Sequence, residues 1–93
     1  MNKFCTFLID TGAEISLIKF KNLRPTDIVY TNEKCTISGI KSIGMETYGT
    51  VITRMQLPNG DKLVNNFQVV NNNIPLPTDG ILGRFFLLNI SAY

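Results

Sequence analysis

Residues 50–70 alternate so regularly that they commit the chain to paired β-strands. Val51, Thr53, Met55 and Leu57 fall on one face and Thr50, Ile52, Arg54 and Gln56 on the other, the two-residue period of a half-buried strand. Pro58-Asn59-Gly60-Asp61 breaks that pattern, and Asn-Gly suits the positive φ angles of a two-residue hairpin turn. Lys62 to Val70 is therefore expected to return antiparallel, with Leu63, Asn65, Phe67 and Val69 on one side. Lys3 to Ile9 sets Phe4, Thr6 and Leu8 against Cys5, Phe7 and Ile9, apolar on both faces, which predicts a buried strand entering Asp10. Thr36 to Val51, dotted with Gly39, Gly44 and Gly49, predicts a mobile hairpin. Asn71-Asn72-Asn73, Pro75 and Pro77 predict a loop, and Ile81-Leu82 a short strand entering Gly83. Only Arg84 to Asn89 permits a helix, of at most two turns, with apolar residues on every side and hence buried.

The expected class is thus all-β with one short C-terminal helix. At 93 residues the chain is one domain, since a second would leave each half without a core of its own. Its 44% apolar and 17% charged residues exclude a disordered tail, and polar residues interrupt every apolar run before it could span a bilayer. With no transmembrane helix and no secretory h-region, an intracellular location is expected. The net charge of +2 does not supply the basic face of a nucleic-acid binder; Lys19, Lys21 and Arg24, the densest basic run, are expected on a solvated surface.

Histidine is absent, which removes Ser-His-Asp and Cys-His catalysis and most zinc sites. Cys5 and Cys35 lack C-x-x-C spacing and are expected to be buried, reduced thiols. Among the remaining carboxylates, hydroxyls and thiols, Asp10 stands apart. It closes an apolar strand and precedes Thr11-Gly12; Phe7, Leu8, Ile9, Ala13 and Ile15 would surround it with low dielectric, which penalises its charge unless partners compensate. Gly12 would let backbone approach a ligand, and Thr11 would hold the turn. Taken alone, Asp-Thr-Gly reads equally well as an Asx-type turn after a strand.

A second block, Asp79-Gly80-Ile81-Leu82-Gly83-Arg84, lies about seventy residues on. Together with Phe7-Leu8-Ile9-Asp10-Thr11-Gly12-Ala13-Glu14-Ile15-Ser16 it resembles the two signature blocks of retropepsins, the aspartic proteases of retroviruses and LTR retrotransposons, and is nearest to the retrotransposon branch. The resemblance runs from about Phe4 to Leu88 and implies a closed β-barrel with a flap hairpin, residues 1–93 forming one half of a homodimer. Each chain would donate one Asp10 across a two-fold axis. The two carboxylates, roughly 3 Å apart, would share one proton and activate a water against a peptide or polyprotein substrate, with no metal or cofactor and no nucleic acid or membrane contact.

The same resemblance assigns Thr11 to a contact with the other subunit's loop and the Gly12 carbonyl to a substrate amide. It places Ala13 on the cleft floor and Glu14 on the peptide backbone, paired with Arg84. Gly39 and Ile40 would be the flap tip nearest the substrate. Ile81 matches a position lining substrate side chains, although a core position is the plainer reading. Asp79 is expected to be a loop residue near the cleft rim, and Ser16 to hydrogen-bond a turn, since no base is present to make it a nucleophile.

The chain departs from the family at Phe85, which replaces an Asp or Asn after Gly-Arg, and at its ends. Nine residues precede Asp10 and four follow Asn89, so the strands that interleave at the dimer interface are expected to be short or missing. Two functions follow: an aspartic endopeptidase processing a retroelement polyprotein, or a catalytically inactive or domesticated module that binds peptides or dimerises. A β-barrel ligand-binder of other ancestry would have to produce both blocks by coincidence.

Overall fold

The computed structural model describes residues 4–37 and 45–91, with the backbone alone for 89–91. Its strands are β1 (Phe7–Ile9), β2 (Ser16–Lys19), β3 (Val29–Tyr30), β4 (Thr36–Ile37), β5 (Met45–Glu46), β6 (Gly49–Gln56), β7 (Lys62–Val70) and β8 (Gly80–Leu82); a 3-10 turn covers Phe20–Asn22 and α1 covers Arg84–Ser91. The fold is all-β with one short helix, as expected. Six strands form one sheet in the order β1-β8-β2-β7-β6-β3, and β4 pairs with β5. The described ladders thus run from β1 at one edge to β3 at the other. Among the described residues no helix is long and apolar enough to cross a membrane.

The long hairpin forms with the expected faces, from Gly49 opposite Val69 to Gln56 opposite Lys62, one residue out of the register that a two-residue Asn59-Gly60 turn would set. Its turn differs in detail. Leu57 O accepts from Gly60 N (2.9 Å), so Pro58-Asn59 are the central pair, and Gly60 follows with φ +93°. Proline's fixed φ suits the first central position of a type I turn, and the positive-φ residue then falls third, as in a bulged hairpin. Asn59 adds an Asx turn by accepting from Asp61 N at 3.0 Å.

β2 sits in the middle, parallel to β7 and antiparallel to β8. All four of its residues are buried, and their alternation divides the core in two. Ile18 joins Val51, Met55, Leu63, Phe67, Val69 and Phe86 on one face. Leu17 joins Ile37, Val70, Ile74 and Ile81 on the other. Lys19 is consequently buried (7% exposed), against the expected solvated run; its ammonium is satisfied by the Leu76 carbonyl at 2.7 Å. Lys21 stays exposed, and Arg24 is half-buried against Asp27 and Thr53.

Three other expectations are corrected. The first strand is three residues long and largely exposed, with Leu8 and Ile9 at 44% and 62%. Among the described residues this edge strand is bonded to β8 alone, and of its side chains Phe7 reaches the core, stacking on Phe67 with centroids 5.5 Å apart. The helix is not buried all round: Phe86 enters the core, while Phe85 and Leu88 are each 58% exposed, because α1 packs one stripe against the sheet and nothing described covers its other side. Cys5 and Cys35 are not joined in a disulfide and are only half-buried. The hairpin expected over Thr36 to Val51 has its base in the antiparallel β4-β5 pair, and its tip, with Gly39, Ile40 and Gly44, lies outside the described residues.

Two stability predictions follow from this packing. Phe67 is fully buried at the centre of the larger core, so Phe67→Ala is expected to cost about 3–5 kcal/mol in urea unfolding. Asp27, with a side chain 6% exposed, accepts from the Arg24 amide at 2.7 Å and from its guanidinium at 3.4 Å. Burial pushes its pKa up, but the Arg24 hydrogen bonds and the positive charges of the N-terminus and Arg24 together hold it below the ordinary carboxylate value. A depressed folded-state pKa contributes stability above the unfolded value and loses it as pH falls through the folded one. Asp27→Asn is therefore expected to cost about 1–3 kcal/mol near neutrality, with the gap from wild type closing below about pH 4.

Candidate active site

The parallel β1-β8 pair ends in two loops that are bonded to each other. Past Ile9, Asp10 N donates to Leu82 O at 3.0 Å, continuing the ladder by one residue. The chain then turns: Ala13 N donates to Asp10 O at 3.1 Å, and Gly12 N donates to the Asp10 carboxylate Oδ1 at 3.0 Å. The Asx turn that the sequence allows is therefore present, and it orients the carboxylate. A Cβ on Gly12 would stand 3.3 Å from that oxygen, so glycine leaves the carboxylate uncrowded. Asp10 is half-buried, while Thr11 and Gly12 are exposed. The enclosure expected from the apolar neighbours is not achieved within one chain, because Leu8 and Ile9 face outward.

The second block braces this loop from beneath. Gly83 N donates to the buried Ser16 hydroxyl at 3.0 Å, Arg84 N to Ala13 O at 2.7 Å and Phe85 N to Glu14 O at 3.3 Å. Ser16 thus bonds a turn, as expected of a hydroxyl with no base. A Cβ on Gly83 would fall 2.5 Å from Ile15 O, so the two backbones cross at a separation only glycine permits. Arg84 reaches the Glu14 carboxylate at 3.2 Å; both groups are more than half exposed, and the contact orients them more than it stabilises the fold.

Ile81 is in the core, 5% exposed, with Leu17, Ile37, Val70 and Ile74. Ala13, Ile15, Cys35 and Met45 pack against that cluster, which makes an apolar wall beside the Asp10 loop. The sequence reading missed Ile37 and Met45 in this wall, since two-residue strands carry no legible periodicity; only the Ile37–Met45 register brings them together. Gly39 and Ile40 lie outside the described residues.

Asp79 is not at the rim. It enters β8 at the end opposite Asp10, where its carboxylate accepts from Thr6 N (2.8 Å), its amide donates to Thr6 O and its carbonyl accepts from Lys19 N. It fastens β1 to β8. Beside it, the Cys5 thiol is held above its ordinary pKa by burial and by the Asp79 charge. Among the described residues no three His, Cys, Asp or Glu side chains gather as metal ligands.

Adding a methyl group at the crossing tests the bracing. Gly83→Ala is expected to cost about 1–3 kcal/mol in urea unfolding and to loosen the Asp10 loop, read as faster hydrogen exchange at the Arg84 and Asp10 amides.

Comparison with known proteins agrees with this architecture. A family model described as retroviral aspartyl protease matches residues 1–93. The retrovirus-related Pol polyprotein from transposon 412 of Drosophila melanogaster is 35% identical over 82 residues, covering 87% of this chain and 6% of that polyprotein. Since the family match spans both bonded loops and all that lies between them, the chain belongs to the retroviral aspartyl protease family.

Proposed function

We propose that this chain is one half of an aspartic endopeptidase that works as a symmetric homodimer on a retroelement polyprotein. The observation that carries the proposal is the placement of Asp10: a single carboxylate on an exposed Thr11-Gly12 loop, beside the exposed apolar Leu8 and Ile9 of an edge strand. One carboxylate cannot both activate water and protonate a leaving amine, and a second copy supplies the other while covering apolar surface.

In the dimer the two Asp10 carboxylates share one proton. The ionised one takes a proton from the bound water, whose oxygen attacks the scissile carbonyl carbon. The protonated one hydrogen-bonds the developing oxyanion, and a proton then passes to the departing nitrogen as the C–N bond breaks. Thr11 contacts the other subunit's loop, the Gly12 carbonyl receives a substrate amide, and Ala13 forms the floor. Glu14, oriented by Arg84, holds the peptide backbone. Gly39 and Ile40 close from the flap, and Ile81 supports the wall from the core. No step calls for a metal or cofactor, and the expected setting is the cytoplasm or a retroelement particle.

Asp10→Asn is expected to lower peptide cleavage at about pH 4–6 by roughly 10²–10⁴-fold while leaving the fold intact. Equal background in wild type and variant, with only monomer in sedimentation at micromolar concentration, would sink the enzyme reading in favour of a non-catalytic peptide-binding module.

A further inference from the structure

The β4-β5 pair is carried on two legs, and one side chain of β7 holds both of them. Gln68 is half-buried and stands directly opposite Thr50 in the hairpin ladder. Its Oε1 accepts from the Thr47 hydroxyl at 2.6 Å, and its Nε2 donates to the Thr50 hydroxyl at 2.6 Å. The Thr47 hydroxyl in turn accepts from Cys35 N at 3.0 Å, and the Thr50 hydroxyl donates to Glu33 O at 2.9 Å. Thr47 and Thr50 are buried, so water competes little for these groups and the bonds reinforce one another.

Backbone groups at the two ends fix the sense of this chain of bonds. Glu33 O can only accept, so the single hydroxyl hydrogen of Thr50 goes to it and Thr50 must accept from Gln68. Gln68 therefore turns Nε2 to Thr50 and Oε1 to Thr47, whose hydroxyl donates to it while accepting from Cys35 N. A primary amide supplies the one donor and one acceptor this needs; a carboxylate supplies acceptors alone, and an aliphatic chain neither. The legs lead straight to the apolar wall. Ile37 follows Cys35 by two residues, Met45 precedes Thr47 by two, and both pack with Ile81, Ala13 and Ile15 beside the Asp10 loop. Tyr48 N, bonded to Val69 O at 2.8 Å, ties the second leg to β7 through the backbone. The first leg, residues 33–35, reaches β7 through the two threonine hydroxyls and Gln68.

We infer that Gln68 is a positioning residue for the reaction: its amide clasps both legs of the β4-β5 pair and so sets where Ile37 and Met45 stand beside the Asp10 loop. The inference rests on the endopeptidase reading above. Gln68 touches no reacting atom in this role; it acts through Thr47 and Thr50 on the wall against which the substrate is held.

The test compares Gln68→Glu and Gln68→Met with wild type between about pH 4 and pH 7, by cleavage kinetics on one apolar peptide and by amide hydrogen exchange corrected for intrinsic rates. Protonated, the carboxyl introduced by Gln68→Glu donates to Thr50 as the amide does; ionised, it draws both hydroxyls to itself and leaves Glu33 O without a donor. Glu33, Lys34, Cys35, Glu46 and Tyr48 also titrate on these legs, with Lys34 and Glu46 paired at 3.7 Å, so every value is taken relative to wild type at the same pH. Gln68→Glu is expected to match wild type near pH 4. Toward pH 7 its KM is expected to rise about tenfold with kcat within about twofold, and the Glu33 and Cys35 amides to exchange about tenfold faster. Gln68→Met is expected to show these losses at every pH; should it fail to fold, Gln68→Glu alone decides. Unchanged exchange in Gln68→Glu near pH 7 overturns the clasp, and a loss equal at both ends of the range overturns the assigned donor sense. Faster exchange with KM unchanged overturns the positioning role while cleavage upholds the endopeptidase reading. No cleavage by wild type removes that reading and the positioning role with it, and the exchange rates then still decide the clasp.

Discussion

The structure depends on a crossing of two backbones. Residues 82–85 pass beneath residues 10–16 so closely that Gly83 has no room for a side chain, and the passage is fastened by Asp10 N to Leu82 O, Gly83 N to Ser16 Oγ and Arg84 N to Ala13 O. Buried backbone groups must find partners, and here each loop supplies the other's. The loop that carries the Asp10 carboxylate is therefore held by a segment seventy residues away, not by its own turn alone. Ser16 illustrates the economy of the arrangement: one buried hydroxyl, with no base near it, satisfies the amide of the residue at the crossing.

Around that crossing the chain is unevenly finished. β2, at the centre of the sheet, is covered on both faces and even carries a buried lysine whose ammonium is met by a carbonyl. β1 and α1, which flank the Asp10 loop, leave Leu8, Ile9, Phe85 and Leu88 outside. Apolar surface left open beside a half-buried carboxylate is what the proposed homodimer would cover, with another copy and the substrate supplying the remaining walls.

Much of the hairpin was legible because its signal is local. A period of two over eight residues assigned Val51, Thr53, Met55, Leu63, Phe67 and Val69 to the interior, and all are buried. The two bonded loops were legible as a pair of motifs. Burial was not. Lys19 looked solvated because it neighbours Lys21 and Arg24, yet its strand lies between β7 and β8. Phe4, Leu8 and Ile9 looked buried because they are apolar, yet their strand is an edge. Asp79 reads as a loop residue near the cleft rim; it is in a loop, but the parallel β1-β8 register puts it at the far end from Asp10.

What the sequence determined by itself was the long β6-β7 hairpin and the short strand entering Gly83, the exclusion of histidine-based chemistry and the identity of the one carboxylate in an Asp-Thr-Gly turn, since each depends on residue type and near-neighbour spacing; β2 and β3 carried no such local signal. Tertiary structure alone decided which strands are central, that Ile37 and Met45 join the wall and that Phe85 faces a hollow. Those facts come from long-range strand order. Which neighbours a strand acquires is set by pairing between segments fifty to seventy residues apart, and no local pattern encodes it.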